Sequence, residues 1–186
     1  MMTAIQLCAV AGLKHPHTAM LEPAGSAPKF VDALIAGGHH IQAILYLAHA
    51  IPPREGILWA WTTIKKLPPA LTPEELPVLA SVEKWIRDPS DENRRKCKQA
   101  AFVLPPEGSM ATLCDAVYFT GNLGEPGGHP VPAPAFSSSK FAGACLILCA
   151  SQADPQNPSP HFDVCLAQGL EVAQRIKLWD TIQWGN

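Results

Sequence analysis

The sequence predicts an all-α protein, a compact bundle of about seven short helices with one long Pro/Gly-rich loop. Three observations carry this. Apolar residues recur at helical spacing along most of the chain, helix-start signatures fall where the stripes begin, and no stretch sustains the period-2 alternation of a strand.

Taken in order, residues 1–28 hold His15-Pro16-His17 and Pro23-Ala24-Gly25-Ser26-Ala27-Pro28. They read as an N-terminal arm with at most a short strand or turn, which leaves 29–186 as the helical domain. Ile41, Ile44, Leu45, Ala48 and Ile51 form the first clear stripe, and Ile57, Trp61 and Ile64 continue it. Val78, Val82 and Trp85 follow, then Cys97, Ala100, Ala101 and Leu104, then Met110, Leu113, Cys114 and Val117. Phe141, Ala144, Cys145 and Leu148 make another stripe, and the longest runs from Phe162 to Ile176.

Thr72-Pro73-Glu74-Glu75 has the form of a capping box with Pro at the first helical position. Asp88-Pro89-Ser90-Asp91 and Ser159-Pro160 repeat the plan. Pro77 is expected to divide residues 73–87 into a turn and a helix. Most of the nineteen prolines fall between stripes and punctuate short helices. The exception in length is the connection Gly121–Ser139, rich in Pro and Gly. A loop that long inside a small domain is uncommon and serves function or straps helices together.

Charge narrows the function classes. Charged residues are 16% of the chain and the net charge is −2, against roughly a quarter charged in an ordinary domain. Nucleic-acid binding needs a strong basic patch, and the one dense cluster, Asn93-Arg94-Arg95-Lys96-Cys97-Lys98, reads as a solvated helix face. No apolar run reaches the length of a membrane span, and the apolar N-terminus lacks the basic start of a signal peptide. Six cysteines with no CxxC pair indicate small core hydrophobes in a reducing compartment. A cytoplasmic protein that binds neither nucleic acid nor membrane is expected.

The search for chemistry returns little. No His lies beside Cys145 or Cys149 to activate a thiol. His39-His40 with His49 does not match zinc spacing. There is no phosphate-binding Gly-rich loop, no nucleophile elbow and no HExxH. Glu74–Glu75 and Asp91–Glu92 sit in first helical turns, where they complement the helix dipole. No catalytic, cofactor-binding or metal-ligating residue is assigned, and the chain reads as non-enzymatic.

The stretch Ile51-Pro52-Pro53-Arg54-Glu55-Gly56-Ile57-Leu58-Trp59-Ala60-Trp61 carries the structural assignments. Pro53 suits the first helical position and Glu55 the third. Arg54, a cation at a helix start, needs compensation. A carboxylate from another helix would supply it, and Asp88 is the expected partner. Trp59 and Trp61 point to faces about 200° apart, so one packs between helices and the other covers a second neighbour or a partner. Trp85 is counted with them as structural.

Pro52-Pro53-Arg54-Glu55 with Trp59-Ala60, Trp85-Ile86-Arg87-Asp88-Pro89 with Arg94-Arg95, and Gly169-Leu170-Glu171-Val172-Ala173 resemble the motifs of a small helical bacterial family of unknown function. The resemblance spans about residues 38–180. It implies a genetic neighbourhood, beside type VI secretion genes, and no established catalytic residues. Together with small size and low charge, it leads to an immunity protein that binds and neutralises a secreted toxin encoded by an adjacent gene, a nuclease among the candidates. An adaptor or chaperone that loads an effector is the alternative, and an unrecognised enzyme the third reading. Partner contacts are expected at the acidic corner of Asp88, Asp91 and Glu92, and on the loop at Glu125 and His129.

Overall fold

The computed structural model describes residues 2–184, and among them it contains ten α-helices, three short 3-10 turns and no strand. The all-α class matches the expectation. The helix count exceeds seven because residues 4–36 form three helices ahead of the seven that carry the stripes. The helices are α1 (Ala4–Val10), α2 (Leu21–Ala24), α3 (Ala27–Ala36), α4 (His40–Ala50) and α5 (Pro53–Ile64). After them come α6 (Glu75–Arg87), α7 (Asp91–Ala100), α8 (Ser109–Tyr118), α9 (Ser137–Ala153) and α10 (Ser159–Arg175).

The N-terminal segment is not an arm. Thr3 and Gln6 form a reciprocal capping box that starts α1, and Leu7, Cys8, Ala11 and Leu13 enter the core. The Ala4 amide donates to the Gln183 carbonyl at 3.0 Å, and the Gln183 amide donates to that of Met2 at 3.2 Å. The segment is thereby tied to the far end of the described chain.

The centre of the bundle is α9, which packs against α4, α5, α8 and α10. Close approach is possible because Gly143 faces α4. A Cβ there would stand 3.3 Å from the Ala48 methyl. The core around it is apolar and close-fitting, with Phe30, Ile44, Tyr46, Leu47, Trp59, Leu113 and Leu146 fully buried. All six cysteines are free and buried. Burial pushes the Cys8 thiol up to about 11 and that of Cys165 up to about 12, so neither offers a thiolate nucleophile at neutral pH.

The expected Thr72–Glu75 bonds form, but α6 begins at Glu75, so Pro73 lies in the turn before the helix and not at its first position. The Thr72 amide donates to the Glu75 carboxylate at 2.8 Å and the Glu75 amide donates to Thr72 Oγ1 at 3.3 Å. Pro77 sits in the first turn of the helix, where its missing N–H leaves no bond unmade. The start of α7 is shifted from expectation: Ser90, not Asp88, is the N-cap, accepting from the Asn93 amide. Among the described residues, no helix is long and apolar enough to cross a membrane.

Candidate functional site

The residues singled out in the sequence divide into those that hold helices together and those that build one side of a groove. Trp59 is fully buried and its Nε1 donates to the Cys165 carbonyl on α10 at 2.8 Å. Trp61, half-buried, turns the other way and donates to the Leu79 carbonyl on α6 at 3.3 Å, with Lys65 Nζ over its ring. The two faces of α5 are thus spent on two neighbours. Trp85 is buried in the core. Glu55 lies in the first turn of α5.

Arg54 does not pair with Asp88. Its Nε and Nη2 donate to the Ile86 carbonyl at 2.9 and 2.6 Å. The last carbonyls of α6 have no intrahelical donor and carry the negative end of the helix dipole. The cation at the start of α5 is therefore balanced by the end of another helix. Asp88 is occupied elsewhere, accepting from the Ser90 hydroxyl at 3.3 Å and the Asn93 amide at 2.8 Å.

The basic cluster is also not a solvated face. Arg94 is buried and Asn93 with it. Arg94 donates from Nε to Asp91 Oδ1 at 3.0 Å, from Nη1 to the Tyr118 carbonyl at 2.5 Å, and from Nη2 to the Asn122 carbonyl. Its guanidinium also faces the Tyr118 ring. Gly121 permits this approach, since a Cβ there would stand 2.9 Å from Arg94 Nε. Arg95 donates to Asp91 Oδ2 at 2.7 Å and to the Gly124 carbonyl. The two arginines pull Asp91 below the usual carboxylate range, the Arg95 hydrogen bond first and the Arg94 bond second.

These contacts pin the base of the segment 121–136, which we call the strap. Asn122 organises it internally: its Oδ1 accepts from the amides of Gly124 at 3.0 Å and Val131 at 2.6 Å. The Leu123 amide donates to the Val131 carbonyl at 2.7 Å. The crossing is tight enough to demand glycine at 124, where a Cβ would fall 2.3 Å from the His129 carbonyl oxygen.

The strap forms one wall of a groove of about 760 Å³. The α4–α5 corner at residues 49–53, the turn that follows α8 at 119–120 and the first turn of α9 complete it. The five prolines 52, 53, 130, 132 and 134 lie along it. Among the described residues, no Asp, Glu, Lys or Arg lines it. Two buried polar atoms belong to its lining and have no hydrogen-bond partner, His49 Nε2 and Ser138 Oγ.

Of the expected partner contacts, Glu125 and His129 are exposed on the strap and Glu92 is exposed on α7, paired with Lys96. Asp88 and Asp91 are exposed as well, and both also bond within the chain. The structure joins what the sequence left as two surfaces, because Arg95 reaches from the acidic corner to the strap. Sequence reasoning read Arg94 as part of a solvated face, set His49 aside because its spacing does not suit zinc, and missed Asn122. Among the described residues there is no cluster of His, Cys, Asp or Glu that could hold a metal ion.

No curated protein and no solved structure matches the chain. Residues 30–173 match the model of a family of unknown function, DUF6931, running from within α3 to near the end of α10. This range contains every motif residue described above, the two arginine anchors and the whole groove, and the chain belongs to that family.

Proposed function

We propose that the chain is a non-enzymatic protein-binding protein that takes up a segment of its partner in the groove. The observation that carries this reading is the groove itself, uncharged, proline-walled and fixed at its base by Arg94 and Arg95. Prolines hold their backbone with little entropy to lose, and a preorganised wall lowers the cost of binding.

Two roles in the neighbourhood of type VI secretion use such a protein. An adaptor or chaperone that loads an effector needs an open apolar surface for an apolar segment, and the groove favours this role. An immunity protein that blocks a toxin draws on exposed charge and a rigid face. Glu92 and Glu125 would supply the charge, while Asp91 is already neutralised by two arginines. In both roles the partner is the cytoplasmic product of an adjacent gene.

Co-expression with that product tests the reading. Co-purification with the wild-type chain, lost on Ala135→Trp at the exposed rim, is the expected result. Survival of a host that makes the neighbour's product, dependent on this chain, assigns immunity; co-purification without toxicity assigns the adaptor role. Equal co-purification by both forms places the interface outside the groove.

A further inference from the structure

We propose that the groove recognises an uncharged, extended peptide segment through one backbone amide, held between the imidazole of His49 and the first turn of α9. This rests on the reading of the groove as a segment-binding site and adds which group of the segment it takes.

His49 supplies the acceptor. Its Nδ1 lies 2.8 Å from the Leu45 carbonyl. A carbonyl only accepts, so Nδ1 carries the proton and Nε2 of the neutral ring is left with a lone pair. The ring is neutral near physiological pH because burial lowers its pKa, Lys140 of α9 lowers it further, and the Leu45 carbonyl opposes them only in part. Nε2 is buried with no partner.

The first turn of α9 supplies donors. This helix of 17 residues has Phe136 as its N-cap, which has no side-chain oxygen to cap with. First-turn amides have no intrahelical partner. That of Ser137 is satisfied by the Pro134 carbonyl at 3.1 Å. Those of Ser138 and Ser139 stand with the unpartnered Ser138 hydroxyl. Ser138 is 5% and His49 7% exposed, and buried polar groups without partners are rare enough to need an explanation.

The signs of these groups choose the ligand. A helix N-terminus alone attracts an anion, but a carboxylate here would meet the lone pair of His49. A cation would meet the positive end of α9. A peptide unit carries both complements, an N–H for Nε2 and a C=O for the donors of α9. The prolines along the groove have no N–H, so the wall cannot extend a ladder and the segment docks by one amide and apolar contact. Phe136 lies beside the site in the free protein. Its ring centroid is 6.1 Å from that of His49, it is only partly buried, and its backbone is left-handed, with φ 61°.

The test pans a display library of short random peptides against the full chain, with counter-selection on Ala135→Trp. A recovered peptide, synthesised with blocked ends, is titrated into isotopically labelled protein. Shifts of the Ser138 and Ser139 amides and of His49 Nε2 are expected. Methylating one backbone nitrogen of the peptide should weaken binding about tenfold, and Ser138→Ala and His49→Phe should each weaken it. Should His49→Phe fail to fold, the Nε2 resonance decides. Binding that depends on a peptide carboxylate and ignores N-methylation overturns the amide assignment and leaves segment binding standing. Peptides that bind without moving these signals, or no peptide that separates wild type from Ala135→Trp, overturn both.

Discussion

The backbone of α10 at Gly169 lies directly on the indole of Trp59, so closely that a Cβ would stand 2.5 Å from Cζ2. One turn earlier the same helix offers the Cys165 carbonyl to the indole Nε1. The glycine of one motif is thus the seat for the tryptophan of another. Ala at 169 would gain up to about 1 kcal/mol of helix propensity. Overpacking a fully buried ring costs about 1–3 kcal/mol and wins, because the indole is held in place by its bond to the Cys165 carbonyl. Gly169→Ala is expected to lower the urea midpoint; an unchanged midpoint would show that α10 can slide.

Arg54→Ala should cost about 1 kcal/mol, less than the roughly 1.5–3 kcal/mol of a hydrogen bond to a charged group, because the residue is exposed. A buried ion pair broken on one side would cost about 3–5 kcal/mol. Chemical denaturation separates the two magnitudes. Asp88→Asn should leave the contribution of Arg54 intact in a double-mutant cycle, since Arg54 bonds to the Ile86 carbonyl.

Arg94→Leu should be the more damaging arginine change. It leaves the half-buried Tyr118 carbonyl without its donor, at about 1–3 kcal/mol, and leaves the Asn122 carbonyl with only the longer bond from Arg95 at 3.3 Å. Hydrogen exchange gives a local readout. The amides of Leu123 and Val131, bonded within the strap, should lose protection before those in the middle of α9.

Acid should loosen the same clamp. The folded protein holds the Asp91 pKa below its ordinary value of 3.8. Its contribution is therefore fully present above about pH 4 and is lost as pH falls through the depressed value. Because the carboxylate is half-exposed, solvent screening keeps the effect small. Protection factors at Leu123 and Val131, corrected for the intrinsic exchange rate at each pH, should fall below about pH 4 in the wild type, and Asp91→Asn should remove the transition.

Gly56→Ala should stabilise. The position is within the first turns of α5, and the nearest atom to the added methyl would be Ile51 Cγ2 at an ordinary 3.9 Å. With room for the Cβ, reduced freedom of the unfolded chain contributes about 0.5–1 kcal/mol. A drop in thermal midpoint would mean that the α4–α5 corner needs glycine for a reason other than space.

The helical class was legible because periodicity is a local property, and α4 to α10 each carry their own stripe. The first helix was hidden by its length: α1 has seven residues, too short for a convincing repeat, although Thr3-Ala4-Ile5-Gln6 spells its capping box. The direction of Trp59 and Trp61 followed from their spacing alone. The partner of Arg54 did not, because a backbone carbonyl leaves no mark in the sequence. Arg94 was misread for the same reason. Its binding partners are two carbonyls and an aspartate one turn away, and from sequence the aspartate looks like an ordinary surface pair. The groove depends on where four distant segments meet, which no local pattern encodes.

The strap is held at its base by main-chain carbonyls. Arg94 and Arg95 take hold of Asn122 and Gly124 through oxygens that every residue possesses. These bonds do not read side chains, so residues 125–130, apart from Gly127 with its φ of 77°, are free to diverge without loosening them. Length is also cheap, since doubling a flexible loop costs only about 0.6 kcal/mol. The fold therefore separates what must stay constant from what can be retuned. Relatives could acquire new partners by rewriting one wall of the groove while the scaffold behind it stays untouched.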